Sequence, residues 1–365
     1  MNVIRKRTIA TVAVITAASA LATASAAQAA PDTNAPGTTS AADAGTALAP
    51  DTVRSAKVAA SPKFADPAFA RFDLTTAQTP RYFLYATGKG FPVISSASAV
   101  GGYGAPTSSM TAHPKWVSRS RSDLWAPHVT RRPRGDLPGD FTYTMLFNGR
   151  RTSDEKHCIG VATSQSPTGP FKPRKEPLLC PPAGYGEVLD PSIYTEGGVR
   201  YLVYKLGDNE GARRFSILAR PINTPSRTFK GPAITLLSED QTEGINAEAP
   251  DILRAGQRTH LFVSRYGYET LEYSTQSWSA ASILGVKHST GKWVEGLGRD
   301  DEAEGLFGPG GAEVIEDEVT EGGEVIEELR IAFHSHHDET PNVIEEGRLA
   351  YTGTLDRRGD QFSLR

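Results

Sequence analysis

Five times along this chain a short turn-forming anchor precedes an apolar strand: ADPAF before RYFLYATG, DLWAPHV before FTYTMLFNG, LDPSI before VRYLVYK, AEAPDI before THLFVSRYG, and FGPGGAEV before LRIAFHSHH. The anchors Asp66, Trp125, Asp190, Glu248 and Gly308 are separated by 59, 65, 58 and 60 residues, and a period of that size marks a repeat architecture. Further strand-like pieces follow each central strand, plainest in IGVATSQS, FSILARPI, LEYSTQSW and GRLAYTGTL. Each unit therefore holds about four short strands. No long segment keeps a 3.6-residue apolar period, and the 35 Gly and 25 Pro fall mostly between apolar runs, so the fold class is all-β. Four-stranded units repeated radially make a propeller, and five anchors predict a five-bladed β-propeller over residues 62–365. A β-helix or a pair of sandwiches is the alternative, but β-helix coils are far shorter than this period.

Radial repetition has a chemical consequence. In a blade the first strand runs beside the central channel, so anchors distant in sequence meet around one axis. Asp66, Asp190 and Glu248 are then predicted to share a pocket. Carboxylates crowded together repel one another, which raises the pKa of at least one of them. A solvated Glu or a turn-forming Asp-Pro is the plain alternative for each residue alone; the common phase of the three in the repeat favours a site.

Ordinary globular composition, 38% hydrophobic and 22% charged, supports a folded core, and a net charge of -3 gives no basic footprint for nucleic acid or an anionic membrane. A monomer is expected. Residues 1–30 combine a basic start (Arg5, Lys6, Arg7), an apolar stretch from Ile9 and an A-x-A arrangement at Ala27 and Ala29, which reads as a secretory signal peptide and predicts an extracellular protein. The apolar stretch is diluted by Thr and Ser and falls short of a membrane span. Residues 31–61, rich in Ala, Thr, Ser, Asp and Pro, are expected to form a flexible lead-in. Cys158 and Cys180 are the only cysteines, and in an exported protein they are expected to form a disulfide, two buried thiols being the alternative.

In ADP (Ala65–Pro67), WAP (Trp125–Pro127), GVATSQSPTGPF (Gly160–Phe171), LDPS (Leu189–Ser192), EAP (Glu248–Pro250) and GPGG (Gly308–Gly311), the chain resembles glycoside hydrolase family 43 from about Phe64 onward. The resemblance implies a five-bladed propeller that hydrolyses arabinofuranosyl or xylosyl linkages of plant cell-wall polysaccharide with inversion. Carried over residue by residue, Asp66 matches the general base, Glu248 the general acid, and Asp190 the carboxylate that tunes and orients that acid. Inversion needs one carboxylate and one carboxylic acid, so Asp190 is expected to be ionised and to raise the pKa of Glu248. Members that act on β-xylosides often carry an extra C-terminal sandwich. This sequence ends with the fifth unit, which turns the expectation towards arabinofuranosidic substrates, with a β-xylosidase or an inactive carbohydrate-binding propeller as alternatives. Many members also carry His at the place of Gly311, where it helps hold a metal or water; no cofactor is expected here, and a central calcium is in doubt. His128 stands where an acidic residue is frequent.

Trp125 is a candidate sugar platform, with packing between blades as its alternative. Arg265, Tyr266 and Tyr268 follow the Glu248 strand and are candidate hydrogen-bond donors at the rim, Arg265 as a substrate-binding residue, with solvated loop positions as the favoured alternative. The group His334, His336, His337 lacks the spacing of a zinc site, so no metal ligand is assigned; alternating His on a strand is more often structural, with His336 as a substrate-binding candidate near the channel. The acidic run from Asp300 to Glu328 reads as a solvated hairpin.

Overall fold

The computed structural model describes residues 57–58, 63–74, 82–119, 124–133, 141–207, 215–223, 228–298, 305–321, 324–336 and 347–365. The expected leader, most of the lead-in, and His337 lie outside them.

The described chain is all-β, as the Gly- and Pro-punctuated apolar runs require. One antiparallel sheet holds β2 (Ala68–Arg71), β3 (Tyr82–Tyr85), β4 (Pro92–Ser96) and β5 (Thr107–Ser108). A second begins with β6 (Leu124–Pro133), β7 (Phe141–Arg150), β8 (His157–Ser164) and β9 (Lys172–Pro173). It continues into β10 (Glu187–Glu196), β11 (Val199–Gly207), β12 (Ser216–Pro221) and β13 (Ile234–Ser238) through a single pairing, Glu187 with His157. The third runs through β14 (Ala247–Ala255), β15 (Arg258–Arg265), β16 (Ser274–Ala280) and β17 (Gly291–Trp293). The last joins β18 (Phe307–Glu321), β19 (Glu324–His336) and β20 (Arg348–Arg358). On β20, β1 (Lys57–Val58) from the start of the described chain and β21 (Gln361–Leu364) from its end complete that sheet. The segment GRLAYTGTLDRRGDQFSLR thus supplies β20 and β21 of this sheet.

Buried apolar faces fill the spaces between sheets. Tyr85, Phe91, Phe147 and Phe171 pack between the first sheet and β6–β9, and Ile217, Leu237, Leu261 and Trp278 between β10–β13 and the third sheet. These contacts leave no room for a side chain at Gly160, whose added Cβ would stand 2.4 Å from Phe147 and 2.7 Å from Trp116.

The strand opening each unit carries a bulge where the repeat motif lies. The residues Asp66, Ala126, Asp190, Ala249 and Gly311 all adopt left-handed φ values between 42° and 62°. Register shifts follow at Trp125/His128, Leu189/Ser192, Glu248/Asp251 and Gly310/Glu313. An extra residue on one strand sharpens the local twist and re-aims the neighbouring side chains. This geometry corrects the fifth anchor. The equivalent residue is Gly311 rather than Gly308, and the bulged positions are separated by 60, 64, 59 and 62 residues. Four of the five precede Pro and the fifth, Gly311, precedes Ala312; the same four are non-glycine residues that pay for a left-handed conformation, a strain characteristic of functional sites.

Cys158 and Cys180 form a disulfide that closes a loop of 22 residues along the edge of β8. Its removal in a Cys158→Ser/Cys180→Ser variant is expected to lower stability by about 3 kcal/mol through the unfolded-state entropy of a loop this long. Urea denaturation of the oxidised protein and the variant measures that difference. The acidic hairpin of β18 and β19 departs from a fully solvated arm: Asp317 is buried, where it accepts from Tyr82 Oη at 2.7 Å and pairs with Arg71 at 2.9 Å and Arg330 at 3.4 Å.

Candidate active site

The five bulges converge on a cleft of about 320 Å³, lined among others by Asp66, Trp125, Asp190, Glu248, Tyr268, Tyr273 and Arg348. The sequence-predicted carboxylates therefore meet. They do not come from equivalent positions of the motif: Asp66 and Asp190 are themselves the left-handed residues, a conformation Asp tolerates better than most, whereas Glu248 precedes one.

Asp66 stands apart from the other two in its partners. Its Oδ2 accepts from Thr87 Oγ1, and its Oδ1 accepts from Arg348 Nη1 at 3.0 Å. Arg348 Nη1 also lies 2.9 Å from His334 Nε2, and the Asp66 backbone N–H donates to His334 Nδ1 at 3.1 Å, so the ring bridges the arginine and the Asp66 backbone. Burial, reinforced by Arg348 and His336, holds the His334 pKa well below that of a free histidine. The ring leaves no space at Gly311, where an added Cβ would stand 2.5 Å from His334 Cε1. That contact is the physical reason for glycine where a histidine was the family expectation.

Glu248 and Asp190 form a buried pair with opposite environments. Glu248 Oε2 accepts from Lys205 Nζ and Asn246 Nδ2, each at 3.0 Å, and Oε1 accepts from Tyr273 Oη at 3.1 Å. Burial alone would raise its pKa, but the Lys205 charge and the three donors outweigh it and the net shift is downward. Asp190 Oδ2 accepts only a backbone bond, from Ala249 N at 2.8 Å, while its own N–H donates to Asn148 Oδ1 at 2.7 Å. Burial and then the Glu248 charge push its pKa up to about 7. The two shifts run opposite to the expectation of an ionised Asp190 beside a protonated Glu248, because the Lys205 charge stabilises the Glu248 carboxylate while burial and that carboxylate raise Asp190.

Below this trio the next motif position gives a second tier of His128, Asp251 and Glu313. His128 Nδ1 pairs with Glu313 Oε1 at 2.9 Å, and its Nε2 accepts from Ile193 N at 3.2 Å. Burial alone would lower the His128 pKa, but the Glu313 carboxylate outweighs it and the net shift is upward. His128 thus bridges to the Glu313 carboxylate, which accounts for a histidine at this position. The other Glu313 oxygen accepts from Phe69 N at 3.0 Å, and Asp251 accepts from Val314 N at 2.8 Å. Burial and then Glu313 push the Asp251 pKa up to about 7.

Two buried aspartates that keep their protons to about pH 7 make stability depend on pH. The folded state binds protons that the unfolded chain releases near pH 4, so this contribution is complete below pH 4 and is lost as pH rises to about 7. Thermal midpoints are expected to fall between pH 5 and 8, and Asp251→Asn is expected to remove about half of that fall.

The remaining assignments divide. Trp125 lines the cleft and also packs against His157 in a tilted arrangement, with ring centroids 4.2 Å apart. Arg265 does not reach the rim: it is buried, its guanidinium bound to Gln276 Oε1 and the carbonyls of Asn246 and Thr242. Its place is structural because η1 (Glu239–Thr242) packs over it. His336 is buried against Gly308 and does not line the cleft. Tyr268, 43% exposed, lies over the Arg348 guanidinium at 4.8 Å and does reach it. Sequence reasoning missed Arg348, Lys205, Thr87 and Tyr273. Lys205, a lysine ending the apolar run VRYLVY, is the one of these that carried a local signal.

Comparison with solved structures supports the same architecture. A thermostable family-43 glycoside hydrolase matches with TM-score 0.67 and 21% identity, over 84% of this chain and 94% of its own. An endo-arabinase from Bacteroides thetaiotaomicron matches with TM-score 0.61 and 20% identity, over 83% and 97%. A xylan β-1,4-xylosidase from Bacillus halodurans matches with TM-score 0.62 and 16% identity, over 83% of this chain and 55% of its own. A search of curated proteins finds no significant match. The family model described as "Glycosyl hydrolases family 43" matches residues 65–332, which include all three cleft carboxylates. With that match across most of its length, the chain belongs to glycosyl hydrolases family 43 and is a glycoside hydrolase.

Proposed function

We propose that this protein is a secreted, inverting glycosidase that cleaves α-L-arabinofuranosidic linkages in arabinan, arabinoxylan or their oligosaccharides. The observation that carries this reading is the division of the three carboxylates: Asp66 is held by Arg348 and Thr87, away from the Asp190–Glu248 pair and its Lys205. Inversion needs that division, with one carboxylate taking a proton from water and another group giving one to the leaving oxygen. Asp66 acts as the base. Glu248 is the acid, working from the tautomer in which the pair's one proton has passed to it from Asp190. A similar structure named for arabinan supports the arabinose assignment, and another named for xylan keeps β-xylosidase activity as an outcome of the test.

Five blades are part of this proposal. The single β8–β10 pairing divides the eight-stranded sheet into two four-stranded units, which with the other three sheets and five equivalent bulges makes five. Secretion is supported by the leader-like first 30 residues and by the Cys158–Cys180 bond. Action as a monomer, with no nucleic acid or membrane partner, remains the reading from charge and composition. The reading without a cofactor is kept from the sequence, where Gly311 stands in the place of the family's usual histidine. Both Glu313 oxygens already accept from His128 and Phe69, and Asp251 accepts from the backbone of Val314 and Ile252, so no step is routed through a metal.

Sugar release from linear arabinan, arabinoxylan, an aryl α-L-arabinofuranoside and an aryl β-D-xyloside tests the assignment, with proton NMR of the first-formed anomer. Arabinose or its oligomers with inverted configuration support it. Xylose alone transfers it to the xylosidase reading, and a retained configuration removes the proposed roles.

A further inference from the structure

Among the described residues, Lys205 is the buried cation that touches the proposed acid without lining the cleft. It sits on β11 opposite Leu189, the residue before Asp190, and extends from there to Glu248 on β14. Its side chain is 3% exposed, and its Nζ lies 3.0 Å from Glu248 Oε2. A lysine is rarely this buried without a partner whose charge it serves. The other groups facing the Glu248–Asp190 pair are Asn246 and Tyr273 as neutral donors, Asp66 across the cleft with its Arg348, and Tyr268. Among these described neighbours, Lys205 alone places a positive charge in direct contact with the pair.

We propose that Lys205 is a positioning residue of the reaction, which fixes the Glu248 carboxyl and sets how readily it gives its proton to the leaving group. The inference rests on the acid role proposed for Glu248. As the bond between the anomeric carbon and the glycosidic oxygen breaks, its electron pair goes to that oxygen, which takes the proton from Glu248. Water supplies hydroxide to the carbon and its other proton to Asp66. Glu248 is left as a carboxylate beside the Lys205 ammonium, so the charge formed in the transition state is already balanced. Asp190 opposes this by retaining the pair's proton near neutral pH. Lys205 strengthens the acid and Asp190 keeps it supplied.

The tests are Lys205→Met, which removes the charge at similar length, and Lys205→Arg, which keeps it. In Lys205→Met the basic limb of kcat/KM against pH is expected to move up by about one unit, because a cation no longer favours proton loss. Its rate on arabino-oligosaccharides is expected to fall at least about tenfold more than its rate on nitrophenyl arabinofuranosides, whose leaving groups need little protonation. Lys205→Arg should keep the wild-type limb and recover most of the oligosaccharide rate. An unmoved limb with equal losses on both substrates would overturn the proposal and leave a structural ion pair. Carbon-13 NMR of labelled Asp and Glu carboxyls supplies a readout independent of turnover. The pair should release its proton at higher pH in Lys205→Met, and identical titrations in the two proteins would overturn the proposal. A shifted titration in a protein that hydrolyses none of the sugars would keep the electrostatic coupling of Lys205 to Glu248 and remove the arabinofuranosidase reading instead. Circular dichroism confirms folding, and Lys205→Gln replaces the Met variant if that chain fails to fold.

Discussion

Replacing Asp66 with asparagine is expected to lower turnover by about 10³–10⁴-fold on every glycoside, natural or aryl, since general-base catalysis contributes on that scale. Asparagine retains the shape of the residue and can accept from Thr87, but it cannot take a proton from water. The loss should not depend on the leaving group, because attack by water is needed whichever group departs. Steady-state rates on arabinan oligomers and on nitrophenyl arabinofuranoside measure this. Wild-type turnover by the variant on either substrate would remove Asp66 as the base. The fold should survive, because Arg348 keeps its bond to His334 and its contact with Tyr268.

Glu248→Ala is expected to divide the substrates instead. Natural linkages leave as poorly stabilised alkoxides and should slow by about 10²–10⁴-fold, while activated aryl glycosides should lose far less. The variant also carries a structural cost that Asp66→Asn does not. Removing Glu248 leaves the Lys205 charge buried without its carboxylate partner, and a broken buried pair costs about 3–5 kcal/mol. The double variant Glu248→Ala/Lys205→Met should regain much of that stability without regaining activity. Equal rate losses on both substrate types would show that Glu248 is not the acid, and an unchanged denaturation midpoint in Glu248→Ala would show that Lys205 finds another partner.

The carboxylates were legible because the features that mark them are local. A left-handed bulge before proline recurs about every 60 residues, and an Asp or Glu at or beside it is exposed by the repeat phase alone. The fifth unit was misplaced by three residues because FGPGG offers two glycines with positive φ, at Gly308 and Gly311, and the sequence does not say which one the ladder uses for the channel. Arg265 and His336 illustrate a second limit. Both end strands near the cleft, but β-strand side chains alternate in direction, and in both cases the polar group turns into protein rather than solvent.

By itself the sequence determined the all-β class, the repeat of about 60 residues that carries the motif, and the three carboxylates that meet in the cleft. These follow from turn chemistry and apolar alternation, which act over a few residues and repeat. The tertiary structure decided where the proton rests. Glu248 meets Lys205 across 43 residues and Asp66 meets Arg348 across 282, and Coulomb interactions depend on distance in space rather than along the chain. The same two carboxylates would exchange their roles if the lysine lay beside Asp190, and nothing in the strand pattern says which of them it reaches.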